Sequence, residues 1–299
     1  MVCRPRPRED PPVTAPEHAA TVFGRLRADG TEQILFSHDA RTGLRSVIVV
    51  HDTRSGRPWA AYGCTAAPTS TRLDDVARRA RAMTLKASAA GLDLGGGWSV
   101  VIGDPARDKN KELLRAHGRF IATLGGRFVP VNDIGMTQAD LKVIGREAAP
   151  VCDSGDPSSM TALGVLEGIR ACLRADGADG ALAGVRVCVQ GVGNVGTALA
   201  GLLAAESAES AKLVVADTDA ARAADGAKLL GARVVDPDAV VRTDCDVLAP
   251  GAMGAVVNDA TLPELRCRII AGGANTVLAA PGHAAASADR GILYAPTSA

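Results

Sequence analysis

Apolar positions along the chain follow two different periods. "EQILFSHD" and "RSVIVVHD" are of strand length, stand on either side of "ARTG", and predict a sheet hairpin. In "RLDDVARRARAMTLKASAAG" the spacing turns helical, with Leu73, Val76, Ala77, Ala80 and Met83 on one face. Asp74 and Asp75 in the first turn and Gly91 beyond the end mark its limits. "GLDLGGG" reads as a glycine loop and "WSVVIGD" as a short strand. "KNKELLRAHGRFIATLGG" is a second amphipathic helix, and "RFVPVND" another strand. Residues 21–150 therefore form a mixed α/β unit.

The rhythm becomes regular after a turn cluster at 150–160. "DSGDPSSMTALGVLEGIRACLRADG" opens a long helix. Apolar strands then alternate with helices: "VRVCVQG", "NVGTALAGLLAAE", "KLVVAD" and "DAARAADGAKLLG", followed by the short runs "ARVVD", "CDVLAP", "RIIAGG" and "GILYAP". Strands that are apolar throughout are buried on both faces, which implies a parallel, doubly wound sheet over 151–299. The fold class expected is thus α/β, a mixed α/β domain followed by a Rossmann-type domain.

Composition changes this picture little. Hydrophobic residues make up 47% of the 299 but aromatics 3%, so the core must be built from Ala, Val, Leu and Ile. Lys and Arg balance Asp and Glu at 33 each, which gives no reason to expect nucleic acid or an anionic membrane as partner. No apolar run approaches the roughly 20 residues of a membrane span. The first 20 residues are rich in Pro and charge and lack an apolar signal region, so a disordered tail is expected there. Seven cysteines with no C-x-x-C pair favour reduced thiols in a cytoplasm over disulfides or a zinc site. No metal site is expected.

The first chemical signal is "VCVQGVGNVGTAL". Gly191, Gly193 and Gly196 form G-x-G-x-x-G between a strand and a helix, with Asn194 and Val195 inside it. Asp217 ends the next strand, 21 residues past Gly196. That is a dinucleotide fingerprint in its required context. The glycines allow a tight turn and close backbone approach, and the helix N-terminus faces a pyrophosphate. Asp217 would accept from a ribose 2′-hydroxyl and repel a 2′-phosphate, which favours NAD over NADP, although Arg222 is nearby. Three further polar residues stand at element ends: Lys86 near a helix end, Asp133 after a strand, and Thr161 at the start of the junction helix. Arg107, Asp108, Lys109 and Lys111 read as a solvated helix start. His51 and His117 have no partner at triad or metal spacing.

Together "FSHDARTGLRSVIVVHDT", "RRARAMTLKASAAGLDLGGG", "VIGDPARDKN", "SGDPSSMTALGV", "VQGVGNVG", "CDVLAPGAMGAVVND", "IIAGGAN" and "GILYAP" resemble, in this order, the Glu/Leu/Phe/Val dehydrogenase family, from about residue 22 onward. The resemblance implies NAD-linked oxidative deamination of an L-α-amino acid in a cleft between a substrate domain and a Rossmann domain. It also implies assembly into oligomers through the first domain. By the same resemblance Lys86 binds the substrate carboxylate, Asp133 moves protons at the amine, Thr161 stands near the nicotinamide amide, and Asn275 is a polar residue at the cleft.

Three departures accompany the resemblance. The family writes a catalytic lysine after the three glycines, twelve residues past the carboxylate lysine; here that position is Trp98. Ala61 and Tyr62 stand roughly where the family has a glycine pair. The chain stops soon after "YAP", where the family continues into a substrate loop and closing helices. An indole is neither charged nor an acid or base near pH 7. Two readings follow. One is an NAD-dependent oxidoreductase acting on an amino acid, amine or imine by altered chemistry, with Trp98 stacking on the substrate. The other is an inactive NAD-binding homologue that regulates or scaffolds a partner in a mixed oligomer.

Overall fold

The structure, a computed structural model, describes residues 30–53, 60–67 as backbone, 71–152, 155, 157–206, 212–252 and 254–296, together with Phe23, Gly24 and Leu26. The expected tail over residues 1–20, and the side chains of Ala61 and Tyr62, lie outside the described residues.

The first unit is a five-stranded mixed sheet in the order β1-β2-β4-β3-β5: β1 (Gln33–Asp39), β2 (Leu44–Asp52), β3 (Ala60–Ala67), β4 (Gly95–Ile102) and β5 (Val129–Asn132). β1, β2 and β4 pair antiparallel, whereas β3 pairs parallel with both β4 and β5. Helix α1 (Leu73–Ala89) covers one face; α2 (Lys111–Ala122) and α3 (Gln138–Ile144) cover the other. The two-residue period of a strand decides which side chain goes where. Trp98 and Val100 of β4 pack with Val76, Ala77 and Ala80 of α1, and Val101 packs with Leu113, Leu114 and Ile144 of the opposite layer.

The glycine run corrects one expectation. Gly95, Gly96 and Gly97 are not a loop; they are the first residues of β4. A Cβ on Gly96 would lie 2.1 Å from Thr84 N and 2.6 Å from Ala80 O, so the backbone of α1 rests directly on the strand there. A Cβ on Gly95 would lie 1.7 Å from Asp52 O. These two residues are glycines because other backbone occupies the space of their side chains.

The second unit is a six-stranded sheet in the order β11-β10-β9-β6-β7-β8, every pair parallel. Its strands are β6 (Arg186–Gln190), β7 (Lys212–Ala216), β8 (Arg233–Val234), β9 (Val247–Pro250), β10 (Ile269–Ala271) and β11 (Leu293–Ala295). Its helices are α4 (Ser158–Ala175), α5 (Asn194–Glu206), α6 (Ala220–Leu230) and α7 (Gly282–Asp289). The strand order reverses at β6 and β9, which is the switch point of a Rossmann-type sheet. Val187 and Val189 of β6 face the layer holding Leu166, Ile169, Leu199 and Leu203, while Cys188 faces the other. Cys152, Cys172, Cys188, Cys245 and Cys267 are free thiols. Among the described residues no helix is long and apolar enough to cross a membrane.

His117 of α2 is fully buried, with Nδ1 3.1 Å from Ser46 Oγ and Nε2 3.4 Å from Ser99 Oγ. Burial pushes its pKa down to about 4. Between that value and the ordinary pKa of about 6.5, the unfolded chain binds a proton that the folded one refuses. Stability is therefore lost as pH falls through this window, by up to about 3 kcal/mol. Urea unfolding from pH 7.5 to 4.5 should show a slope against pH that His117→Gln reduces by up to one proton. Equal slopes would remove His117 as the cause.

Candidate functional site

Both units line a single cleft of about 1210 Å³. Its second-unit wall is the turn between β6 and α5. Gly191 there has φ +90°, a conformation glycine alone adopts without strain. A Cβ on Gly196 would lie 1.8 Å from Gly191 O, so the helix start is packed against the turn; a Cβ on Gly193 would meet nothing within 4 Å. One glycine turns the chain, one leaves its outer side open, and one packs the helix onto the strand. Asn194 and Val195 open α5, whose first N–H groups have no partner within the helix and favour an anion.

Asp217 follows β7 and does two things. Its Oδ2 accepts from Val192 N–H at 2.9 Å, which braces the glycine turn, and its Oδ1 accepts from Asp219 N–H at 2.9 Å. The side chain is 6% exposed. Arg222 reaches Asp217 at 3.5 Å and Asp219 at 3.3 Å from an open position. A basic group thus stands beside the acidic one.

The first-unit wall is built on α1. Lys86 lies in its last turn, two residues past Thr84, which sits against Gly96. Its Nζ donates to Asn275 Oδ1 at 2.9 Å, across the cleft. Burial pulls the Lys86 ammonium below its ordinary pKa, and the negative charge of Asp133 pushes back. Asp133 follows β5 and accepts from Ile134 N–H at 2.7 Å. Thr161 stands in the first turn of α4, where its hydroxyl donates to Pro157 O at 2.9 Å. Arg78 of α1 adds a second bond between the units, donating to Ala279 O at 2.9 Å.

Trp98 is 2% exposed yet reaches the cleft wall. The cation over its ring is the protein's own Arg79, whose guanidinium carbon is 5.5 Å from the ring centroid. Lys86, Trp98, Asp133, Thr161, Gly191, Gly193, Asn194, Val195, Gly196, Asp217 and Asn275 all line this one cleft. Sequence reasoning missed Arg79 and Met83, which line it as well. Their spacing from Lys86, i−7 and i−3 on one helix face, was the available signal. Among the described residues no group of three or more His, Cys, Asp or Glu side chains could hold a metal ion.

Fold and cleft together define a two-unit α/β protein in which a Rossmann-type sheet presents a glycine turn to a second, mixed sheet. Residues 32–149 match the family described as Glu/Leu/Phe/Val dehydrogenase, dimerisation domain. The chain is 41% identical to leucine dehydrogenase of Geobacillus stearothermophilus over 289 residues, which cover 92% of this chain and 76% of that protein. It is 40% identical to valine dehydrogenase of Streptomyces coelicolor over 278 residues, 89% of this chain and 76% of the other. The crystal structure of L-tryptophan dehydrogenase from Nostoc punctiforme superposes with a TM-score of 0.67 at 36% identity, over 93% of this chain and 80% of that one. The chain belongs to the Glu/Leu/Phe/Val dehydrogenase family and is related to the amino acid dehydrogenases.

The two glycines that differ most in surroundings give a direct check. Gly196→Ala should cost at least about 1 kcal/mol in denaturant unfolding, because the added methyl meets backbone. Gly193→Ala should stay within about 0.5 kcal/mol. Equal losses would mean the turn is not packed as described.

Proposed function

We propose that the chain is an NAD-linked oxidoreductase of CH–NH2 groups, acting on an amino acid or a related amine or imine. The observation that carries this reading is the cleft itself: a glycine cradle on one wall, and a cation and a carboxylate, Lys86 and Asp133, on the other. The donor set suits the dinucleotide, since Gly193 leaves open the side a pyrophosphate would take. Gly191, Gly193, Asn194, Val195 and Gly196 would hold that group through backbone N–H. Asp217 would take a ribose hydroxyl and disfavour a 2′-phosphate, with Arg222 tempering the preference. When bound, NAD supplies a hydride acceptor.

The chain's own residues do the rest. Lys86 holds the substrate carboxylate by a charge-assisted hydrogen bond. Asp133 holds the amine and moves its protons. Thr161 and Asn275 flank the nicotinamide side. Trp98 can do none of the acid–base work that the resemblance assigns to a lysine at its position. Loss of such a group slows a step that activates water by roughly 10²–10⁴, and loss of its fixed charge by a similar factor. Leucine, valine and phenylalanine should therefore be deaminated very weakly, whereas an imine handled without hydrolysis escapes the penalty. Assembly as a homo-oligomer through the first unit, in the cytoplasm, with a small-molecule substrate and neither nucleic acid nor membrane as partner, completes this reading.

The burial of Trp98 among core residues favours a second reading, an NAD-binding homologue without turnover that serves a partner in a hetero-oligomer. NAD binding and NADH formation, measured separately over a panel of amino acids and amines for the wild type and Trp98→Lys, separate the two. The oxidoreductase reading expects NAD binding and turnover on at least one unusual substrate, which Trp98→Lys abolishes. Binding without turnover, with activity appearing in Trp98→Lys, establishes the second reading. Absence of NAD binding contradicts both.

A further inference from the structure

Asp133 stands on a tight turn. Its carbonyl accepts from Met136 N–H at 2.8 Å. Gly135, third of the four residues, has φ +73°, which that turn position allows to glycine. Residues 131–136 all line the cleft. On one side the turn continues β5; on the other, Met136 is buried in the layer of α2 and α3. Apolar burial is non-directional, so Met136 holds the turn down without fixing how its peptide planes lie.

Lys109 supplies that direction. The sequence pattern makes it one charge of a solvated helix start, but in the fold its side chain is only 20% exposed. Its Nζ donates to Gly135 O at 2.9 Å and to Asp140 Oδ2 at 2.7 Å. The same Asp140 oxygen accepts from Thr137 N–H at 2.8 Å, within the capping box of α3. One ammonium thus clamps the turn that carries Asp133 to the helix after it. Lys109 is itself held by the folded loop between β4 and α2. Asp104 O accepts from Asp108 N–H at 2.8 Å, Asp108 Oδ2 accepts from Asp104 N–H at 2.8 Å, and Asn110 caps α2. Lys109 stands behind the cleft wall and not in it, so its effect on a ligand must pass through the turn.

We propose that Lys109 is a positioning residue for Asp133: its bonds to Gly135 and Asp140 set the turn from which the carboxylate meets a ligand's amine. The inference rests on the amino-acid reading of the cleft, in which Asp133 holds the amine, and adds the group that orients it. Two oxygen partners offset the cost of burying the ammonium. Charge-assisted bonds of this kind are short and strong, which suits them to fixing a peptide plane. A methionine at 109 keeps much of the bulk, loses both bonds and frees the Gly135–Met136 peptide to rotate.

Calorimetric titration of the full chain with NADH present tests this without depending on turnover. The probes are L-alanine, L-leucine and L-phenylalanine, each beside the same acid without its amine: propanoate, 4-methylpentanoate and 3-phenylpropanoate. The ratio of affinities within a pair reads the amine contact alone. The wild type should favour the amino acid, and Asp133→Asn should remove that preference. Lys109→Met should cut it roughly tenfold, as loss of a charge-assisted bond would, with affinity for NADH and the amine-free acid kept within about twofold. Lys109→Arg should keep part of the preference. Lys109→Gln, which retains a donor without the charge, replaces Lys109→Met if that variant does not fold. The sign is informative, because removing a positive charge by itself strengthens the hold on an ammonium. A preference unchanged or increased in Lys109→Met therefore overturns the positioning role. Equal weakening of both members of a pair overturns it too, since that is a general structural loss. No preference in the wild type, or one that survives Asp133→Asn, removes Asp133 from amine binding and overturns the proposal with it. If NADH binds and none of the acids does, the amino-acid reading itself fails.

Discussion

The hydrogen bond from Lys86 to Asn275 joins side chains 189 positions apart and ties the two units across the cleft. Much of the local structure serves to make it. Lys86 reaches the cleft because α1 lies directly on β4, and α1 can lie there because Gly96 has no side chain. Asn275 reaches it from the loop after β10, at the carboxyl end of a parallel sheet whose order reverses nearby. A packing constraint in one sheet and a topological one in the other thus meet at a single pair of polar groups. The bond also offsets part of the cost of burying an ammonium, a charge that needs partners when it leaves water. Asp133 contributes by its opposite charge.

Trp98 takes its meaning from the same constraint. Because the glycines belong to a strand, the residue after them follows strand alternation and points toward α1, not freely into solvent. A residue at this place is both core and cleft wall. Trp98 fills the core role with its bulk and gives the cleft a flat ring with Arg79 over it. This separates two things the resemblance had joined: the framework of an amino acid dehydrogenase, which the chain has, and a titratable side chain at position 98, which it lacks.

The sequence made the second unit easy to read. Its inner strands are apolar on both faces, α6 begins and ends at recognisable caps, Asp219 and Gly231, and the glycine turn is a local motif whose residues touch one another. The first unit was harder. β3 was not recognised as a strand, and α3 is a single short segment held by a Thr137–Asp140 capping box, too brief for periodicity to reveal. In the second unit one helix escapes in the same way: α7, eight residues of mostly small side chains, carries almost no apolar stripe. Glycine usually signals a loop, but backbone from α1 and β2 pressing on the glycine run decides its structure, which no local pattern encodes. Arg79 was overlooked for a related reason. On a helix rich in arginine it looks like one more solvated charge until the fold sets Trp98 beneath it.

Trp98 shares one cleft with the glycine turn between β6 and α5. Energy transfer measures this directly. The chain has two tryptophans, Trp59 and Trp98, so Trp59→Phe leaves Trp98 as sole donor. Titration with NADH, excited at the tryptophan band, should quench Trp98 emission saturably and raise nicotinamide emission with the same midpoint. Saturable NADH binding, seen by calorimetry, without any change in Trp98 emission would place the cofactor elsewhere and contradict the account.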